Sequence, residues 1–155
     1  DQAFHRMTGI SIQTSTDLER AHQCLAEAIY HEARGESERG QQAVAQVVVN
    51  RARSGRYPSD VCDVIYQNRH VRNRCQFSYA CDGRPDSIRN EQAWDLASRI
   101  ADDVLSGRVF LDEIGDSTHY HATYVAPRWR RGLNRTEQIG SHIFYRMPGV
   151  TINGG

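Results

Sequence analysis

The chain has 155 residues, 39% of them hydrophobic, and 19 basic residues balance 19 acidic ones. That size and apolar content suffice for one buried core without a partner, so a single domain is expected. A net charge of zero leaves no basic footprint for a phosphate backbone, and nucleic acid is not an expected partner. Every basic residue is arginine, a bias that carries no functional weight.

No apolar run is long enough for a signal peptide or a membrane span, so the sequence reads as a mature or trimmed chain. Residues 1–15 are polar and aperiodic and read as a flexible N-terminal segment, with one domain over 16–155. The C-terminal Asn153-Gly154-Gly155 reads as a tail. The first helix is expected from Thr16 to about Ala33, since Thr16 and Glu19 have the capping-box spacing. Gly35 is the expected left-handed cap, and a second helix follows over about Ser37–Arg53 through Val44, Val47 and Val48. After the break "SGRYPSD", a short helix is expected around Asp60–Tyr66. The stretch "NRHVRNRCQFSYACDGRP" is too rich in turn formers and charge for a helix throughout and reads as a loop or small hairpin. Residues 88–106 regain helical spacing through Trp94, Ala97, Ala101, Val104 and Leu105, and Gly107 closes them. Last come "THYHATYV" and "SHIFYR", β-branched and aromatic, which can pair as a small antiparallel sheet. The expected fold class is mainly α, with a minor β element.

Four cysteines (Cys24, Cys62, Cys75 and Cys81) allow three pairings, and an even count in a small chain fits disulfides in an oxidising compartment. A Cys75–Cys81 bridge would close one short loop and leave Cys24 and Cys62 to tie the first helix to a later segment. Free buried thiols and a metal site are the alternatives, the second disfavoured because no CxxC pair is present.

Leu18, His22, Leu25, Ile29 and Glu32 follow steps of four, three, four and three, which places them along one helix face. Glu32 thus ends an apolar stripe in the last helical turn. Desolvation and the negative end of the helix dipole both favour its protonated form there. A carboxylic acid kept protonated near neutral pH is what glycosidic cleavage needs, because the leaving oxygen must take up a proton. The alternative is a structural ion pair with a buried arginine such as Arg51.

The blocks "HEARGESERGQQAVAQVVVNRA", "CQFSYACDG", "THYHATYVAPRW" and "IGSHIFYR" resemble the SleB/CwlJ-type cell wall hydrolase family over roughly residues 18–147. Its members include spore cortex-lytic enzymes and proteins of Gram-negative bacteria. The resemblance implies a lysozyme-like, lytic transglycosylase-like domain with Glu32 as the catalytic acid. Spore members carry a differently written Thr/Tyr/Asn-containing segment in place of "THYH". A muramidase that hydrolyses the bond would want a second carboxylate, for which Asp60, Asp63, Asp82 and Asp116 are candidates. A lytic transglycosylase needs none: the muramyl 6-hydroxyl closes on the anomeric carbon, and the family tilts the reading that way. The implied substrate is the peptidoglycan glycan strand, with no cofactor and no metal. A regulatory protein partner is conceivable but unmarked in the sequence. Paired cysteines and the family together imply export to the periplasm or cell envelope of a bacterium.

Candidate substrate contacts are Gln76, Phe77 and Ser78 in the proposed Cys75–Cys81 loop, Thr118, Tyr120 and His121 in "THYHA", and Trp129 as a sugar-stacking ring. If "THYHA" is a strand, Tyr120 faces opposite to His119 and His121. Arg34 either meets peptide carboxylates or neutralises the helix end. Two rival functions remain. One is a zinc peptidase or amidase using His119 and His121, although "His31-Glu32" fails the HExxH pattern at Gly35. The other is a non-catalytic peptidoglycan-binding module.

Overall fold

The computed structural model describes residues 15–67 and 89–149. Among these, four helices come first: α1 (Ser15–Ala33), α2 (Glu38–Arg53), α3 (Val61–Ile65) and α4 (Glu91–Leu105). Strand β1 (His119–Ala122), a 3-10 helix (Arg128–Gly132), β2 (Asn134–Ile139) and β3 (His142–Arg146) complete the order. The class is α+β, mainly helical with one small antiparallel sheet, as expected. The N-terminal tail, the Cys75–Cys81 bridge and Gln76, Phe77 and Ser78 fall outside the described residues, apart from Ser15.

Helix α1 starts at Ser15, one residue earlier than the capping-box reading, so Thr16 lies inside the first turn. The other three helices start at side-chain caps. Ser37 accepts from the Gly40 N–H at 3.1 Å, Asp60 from Asp63 at 3.0 Å and Asn90 from Ala93 at 2.9 Å. Each cap satisfies a donor that the helix itself leaves unpaired. Gly35 is not the left-handed cap expected. The Glu36 N–H instead bonds the Ala33 carbonyl at 2.8 Å, a tight turn that needs no positive φ, and among the described residues the left-handed glycines lie elsewhere, at 55, 107, 115, 140 and 149.

Helix α2 is the centre of the molecule. Val44, Val47 and Val48 are fully buried, and a β-branched run of modest helix propensity is held helical by that burial. Leu25 and Ile29 of α1 are likewise at 0% exposure, each burial contributing about 2 kcal/mol. His22, on the same stripe, bonds the Ser98 carbonyl of α4 at 2.9 Å. A Cys24–Cys62 disulfide with Cα atoms 5.4 Å apart joins α1 to α3 across 38 residues. In a chain-entropy model a loop of that length contributes roughly 4 kcal/mol.

The polar side chains on α2 position the sheet. Gln46 Nε2 donates to the carbonyls of Leu111 (3.0 Å) and Gly115 (2.9 Å), and its Oε1 accepts from the Leu111 N–H at 2.7 Å. Asn50 donates to the carbonyls of Gly115 and Ser117, both at 2.8 Å. Arg51 Nε donates to the Thr118 carbonyl at 2.6 Å. Backbone groups buried in a loop need such partners, and here one helix supplies them up to the residue before β1.

The sheet order is β1-β3-β2, both pairs antiparallel. The β1–β3 pairing fits the sequence reading, while β2 is an addition that its sequence hid. "NRTEQI" lacks apolar alternation because it is an edge strand, mostly exposed until Ile139. Substituting Asn50 by Leu strands the Ser117 carbonyl and leaves Gly115 with Gln46 as its side-chain donor, and is expected to cost roughly 1–3 kcal/mol, read as a lower urea midpoint with an unchanged m-value.

Candidate active site

Glu32 is the penultimate residue of α1 and is half-buried. Its charge is felt by Tyr120, a buried residue in the middle of β1. Burial chiefly pushes the Tyr120 hydroxyl above its ordinary range; Glu32 adds to that and Arg51 opposes it. The phenol therefore stays protonated at physiological pH and can act as a hydrogen-bond donor. Arg51 is itself buried, with its guanidinium 4.7 Å above the Tyr57 ring. Burial lowers its affinity for the proton, against the influence of Tyr57 and Tyr120.

The strand register separates two faces. On one, Tyr120 lies against Phe144 (ring centroids 5.7 Å) and His142 (4.9 Å). On the other, Trp129 packs against His119 (5.2 Å), His121 (5.7 Å) and Tyr145 (5.5 Å). Tyr120 thus points away from His119 and His121, as the alternation implies. Trp129 and Tyr120, both read as sugar contacts, lie on opposite faces.

Glu36, four residues after Glu32, fastens the helix end to the β2–β3 turn. Its carboxylate accepts from the Ser141 N–H (3.0 Å) and hydroxyl (2.6 Å) and lies 3.9 Å from His142 Nδ1. Burial pushes the carboxyl up, but the two Ser141 bonds and His142 outweigh it and keep Glu36 below the usual range. Gly140, at φ +58°, leaves room for this: a Cβ there would sit 2.5 Å from Glu36 Oε1. Sequence reading quoted Glu36 inside its most specific block yet gave it no role, because the partner lies 105 residues away.

The other candidates have these positions. Thr118 is buried; its N–H bonds the Tyr145 carbonyl (3.0 Å) and its hydroxyl meets His119 Nδ1 (2.9 Å). His119 Nε2 is 3.4 Å from the Tyr57 hydroxyl. His121 Nδ1 contacts the Ala122 carbonyl at 2.7 Å. In the neutral ring that nitrogen donates, so Nε2 accepts from the Tyr145 hydroxyl at 2.8 Å. Both nitrogens of both histidines are engaged. Among the described residues no group of three or more His, Cys, Asp or Glu side chains could hold a metal ion. Of the carboxylates considered as a second catalytic group, Asp60 caps α3 and pairs with Arg20 at 3.2 Å. Asp63 is exposed beside it, Asp116 lies 3.4 Å from Arg146 Nε, and Asp82 is outside the described residues. Arg34 lies over the Tyr30 ring, 4.6 Å from its centroid.

Glu32 is a half-buried acid at a helix terminus whose charge reaches a buried phenol of the sheet, on a lysozyme-like α+β domain. Comparison with known proteins bears on the family and the fold. The Cell Wall Hydrolase family profile matches residues 35–145, beginning three residues after Glu32. The spore cortex-lytic enzyme of Halalkalibacterium halodurans is 34% identical over 123 residues, 79% of this chain. That of Bacillus subtilis is 33% identical over 122 residues, 77% of the chain. These matches cover only 33% and 35% of those relatives, so the chain spans about a third of their length. The catalytic domain of Bacillus cereus SleB superposes with a TM-score of 0.67 at 30% identity, covering 88% of this chain and 95% of that one. The catalytic domain of the germination-specific lytic transglycosylase SleB from Bacillus anthracis gives 0.64 at 31% identity, covering 81% and 93%. The chain belongs to the cell wall hydrolase family. Its Cys24–Cys62 bridge and that membership fit an exported protein of the cell envelope.

His119 supplies a pH test. Burial, then Arg51, lowers its pKa from 6.5 to about 4. Between those values the unfolded chain binds a proton that the folded one refuses, so stability is full above pH 6.5 and falls as pH drops toward 4. His142, also lowered by burial, acts in the same direction. Urea midpoints between pH 4 and 7 are expected to slope less steeply in His119→Gln than in the wild type; equal slopes would refute the assignment.

Proposed function

We propose that this domain cleaves the glycan strand of peptidoglycan at the bond between N-acetylmuramic acid and N-acetylglucosamine, with Glu32 as general acid and then base. The observation that carries the reading is the position of Glu32: half-buried at the end of α1, with its charge felt by the buried Tyr120. The similarity to the Bacillus anthracis protein, a germination-specific lytic transglycosylase, supports the same assignment.

In this mechanism Glu32 protonates the glycosidic oxygen as the C–O bond breaks. The substrate's acetamido group stabilises the developing cation, as in substrate-assisted glycosidases. Glu32, now a carboxylate, takes the proton of the muramyl 6-hydroxyl as that oxygen closes on the anomeric carbon, giving a 1,6-anhydro end. No second carboxylate is needed, which suits a site whose candidates Asp60 and Asp116 already serve a cap and ion pairs. Glu36 holds the sheet against the helix end and so keeps Tyr120 opposite Glu32. Gln76, Phe77 and Ser78, and the open part of the Trp129 ring on the face away from Tyr120, are assigned to sugar contacts along the strand, and the periplasmic face of the envelope is the proposed site of action. The zinc peptidase reading is disfavoured, because the ring nitrogens of His119 and His121 have partners within the protein.

Mass spectrometry of products released from purified peptidoglycan tests this reading. The wild type, with or without EDTA, is expected to release anhydromuramyl ends. Glu32→Gln is expected to fold normally and lose activity by more than about a hundredfold. Reducing muramyl ends would redirect the mechanism to hydrolysis, and near wild-type activity in Glu32→Gln would remove Glu32 from its role.

A further inference from the structure

The segment between Ser117 and Thr136 carries four arginines (Arg128, Arg130, Arg131 and Arg135) and no acidic residue, in a chain whose net charge is zero. Three of these arginines lie in the 3-10 helix Arg128–Gly132. With three residues per turn, side chains at i and i+3 eclipse, so Arg128 and Arg131 project on one side, about 6 Å apart along the axis. Both are exposed.

Elsewhere among the described residues Arg20, Arg39, Arg99, Arg108 and Arg146 each face a carboxylate, while Arg53 and Arg56 do not; what sets the turn apart is that its arginines are clustered. Among the described residues no carboxylate lies within ion-pair distance of Arg128, Arg130 or Arg131. Two eclipsed like charges with no counter-ion repel, and a bound anion relieves that cost. The turn is also held in place. Pro127 fixes its entry, and the Trp129 ring is lodged against His119, His121 and Tyr145. Exposed Tyr124 (86%), Val125 (46%) and the open part of Trp129 (38%) flank it.

We infer that this arginine turn is a subsite for the carboxylate-bearing peptide stems of the wall polymer, so that the domain favours strands still carrying their peptides. The inference rests on the proposed activity toward peptidoglycan. Arginine's planar fork suits carboxylates, which it binds through paired N–H donors. The location suits a polymer as well, since the strand that carries Tyr120 on one face holds this turn on the other. An anionic lipid surface is the competing occupant for arginines flanked by exposed Tyr124, Val125 and part of Trp129, and the vesicle measurement below separates the two.

Binding of Glu32→Gln protein to soluble glycan strands, with and without their peptides, reads the subsite without turnover. Peptide-bearing strands are expected to bind about tenfold more tightly at low salt, a gap that narrows as salt rises. Arg128→Gln/Arg131→Gln is expected to abolish the preference, and each single substitution to reduce it, with an unchanged thermal midpoint confirming the fold. Equal affinities for the two strands, a preference that survives the double substitution, or arginine-dependent binding to phosphatidylglycerol vesicles in place of the strands would overturn the inference. Cleavage of both polymers by the wild type is followed in parallel. Peptide-dependent binding without cleavage defeats the lytic reading and leaves the subsite, whereas cleavage without peptide preference does the reverse.

Discussion

The site depends on a row of buried polar side chains on one helix. Gln46, Asn50 and Arg51 face the chain that runs from Leu111 to Thr118 and bond its backbone directly. Four carbonyls and one amide would otherwise lie among apolar side chains, each at a cost comparable to a lost hydrogen bond. Because side chains alternate along a strand, a slip of one residue at Thr118 would exchange the two faces of β1. Tyr120 would then leave the Glu32 side, and His119 and His121 would take its place. The helix ladder fixes the register that gives Tyr120 its position.

A second constraint closes the opposite end of the sheet. Glu36 leaves the end of α1 and bonds the turn between β2 and β3, where Gly140 has neither the Cβ nor the φ of an ordinary residue. The helix bearing Glu32 is thereby tied to the hairpin at its tip, while α2 holds the entry to β1. Glu32 lies on α1 and Tyr120 on β1, the elements that these hydrogen bonds hold.

The helices are legible from sequence because their apolar period is local, whereas the one N-terminal cap read from it, Thr16, lies inside its helix. Ser37, Asp60 and Asn90 each satisfy a donor three residues away. The stripe that ends in Glu32 is legible for the same reason, since it needs only the helical repeat. Strand β2 was not, because an exposed edge strand has no apolar face to alternate. Gly35 misled because a glycine after a helix suggests a left-handed cap, and a plain turn from Glu36 to Ala33 meets the same need. Glu36 and the ladder on α2 were hidden for another reason: a glutamate after a helix, or a glutamine within one, looks like surface chemistry until its partner is known. Those partners lie 65–105 residues away, where no pattern in the sequence points. The arginine turn shows the same limit, since the overall charge balance conceals a local excess.

Everything in the proposed chemistry turns on Glu32 acting across from Tyr120 on a single glycosidic bond. The decisive measurement is a crystal structure of the Glu32→Gln protein bound to a short strand of alternating N-acetylglucosamine and N-acetylmuramic acid. The expected result is the substituted side-chain amide at position 32 within hydrogen-bond distance of one glycosidic oxygen, with the Tyr120 side of the sheet lining that subsite. A strand whose bonds all lie remote from position 32, or whose nearest carboxylate is Asp116, would contradict it.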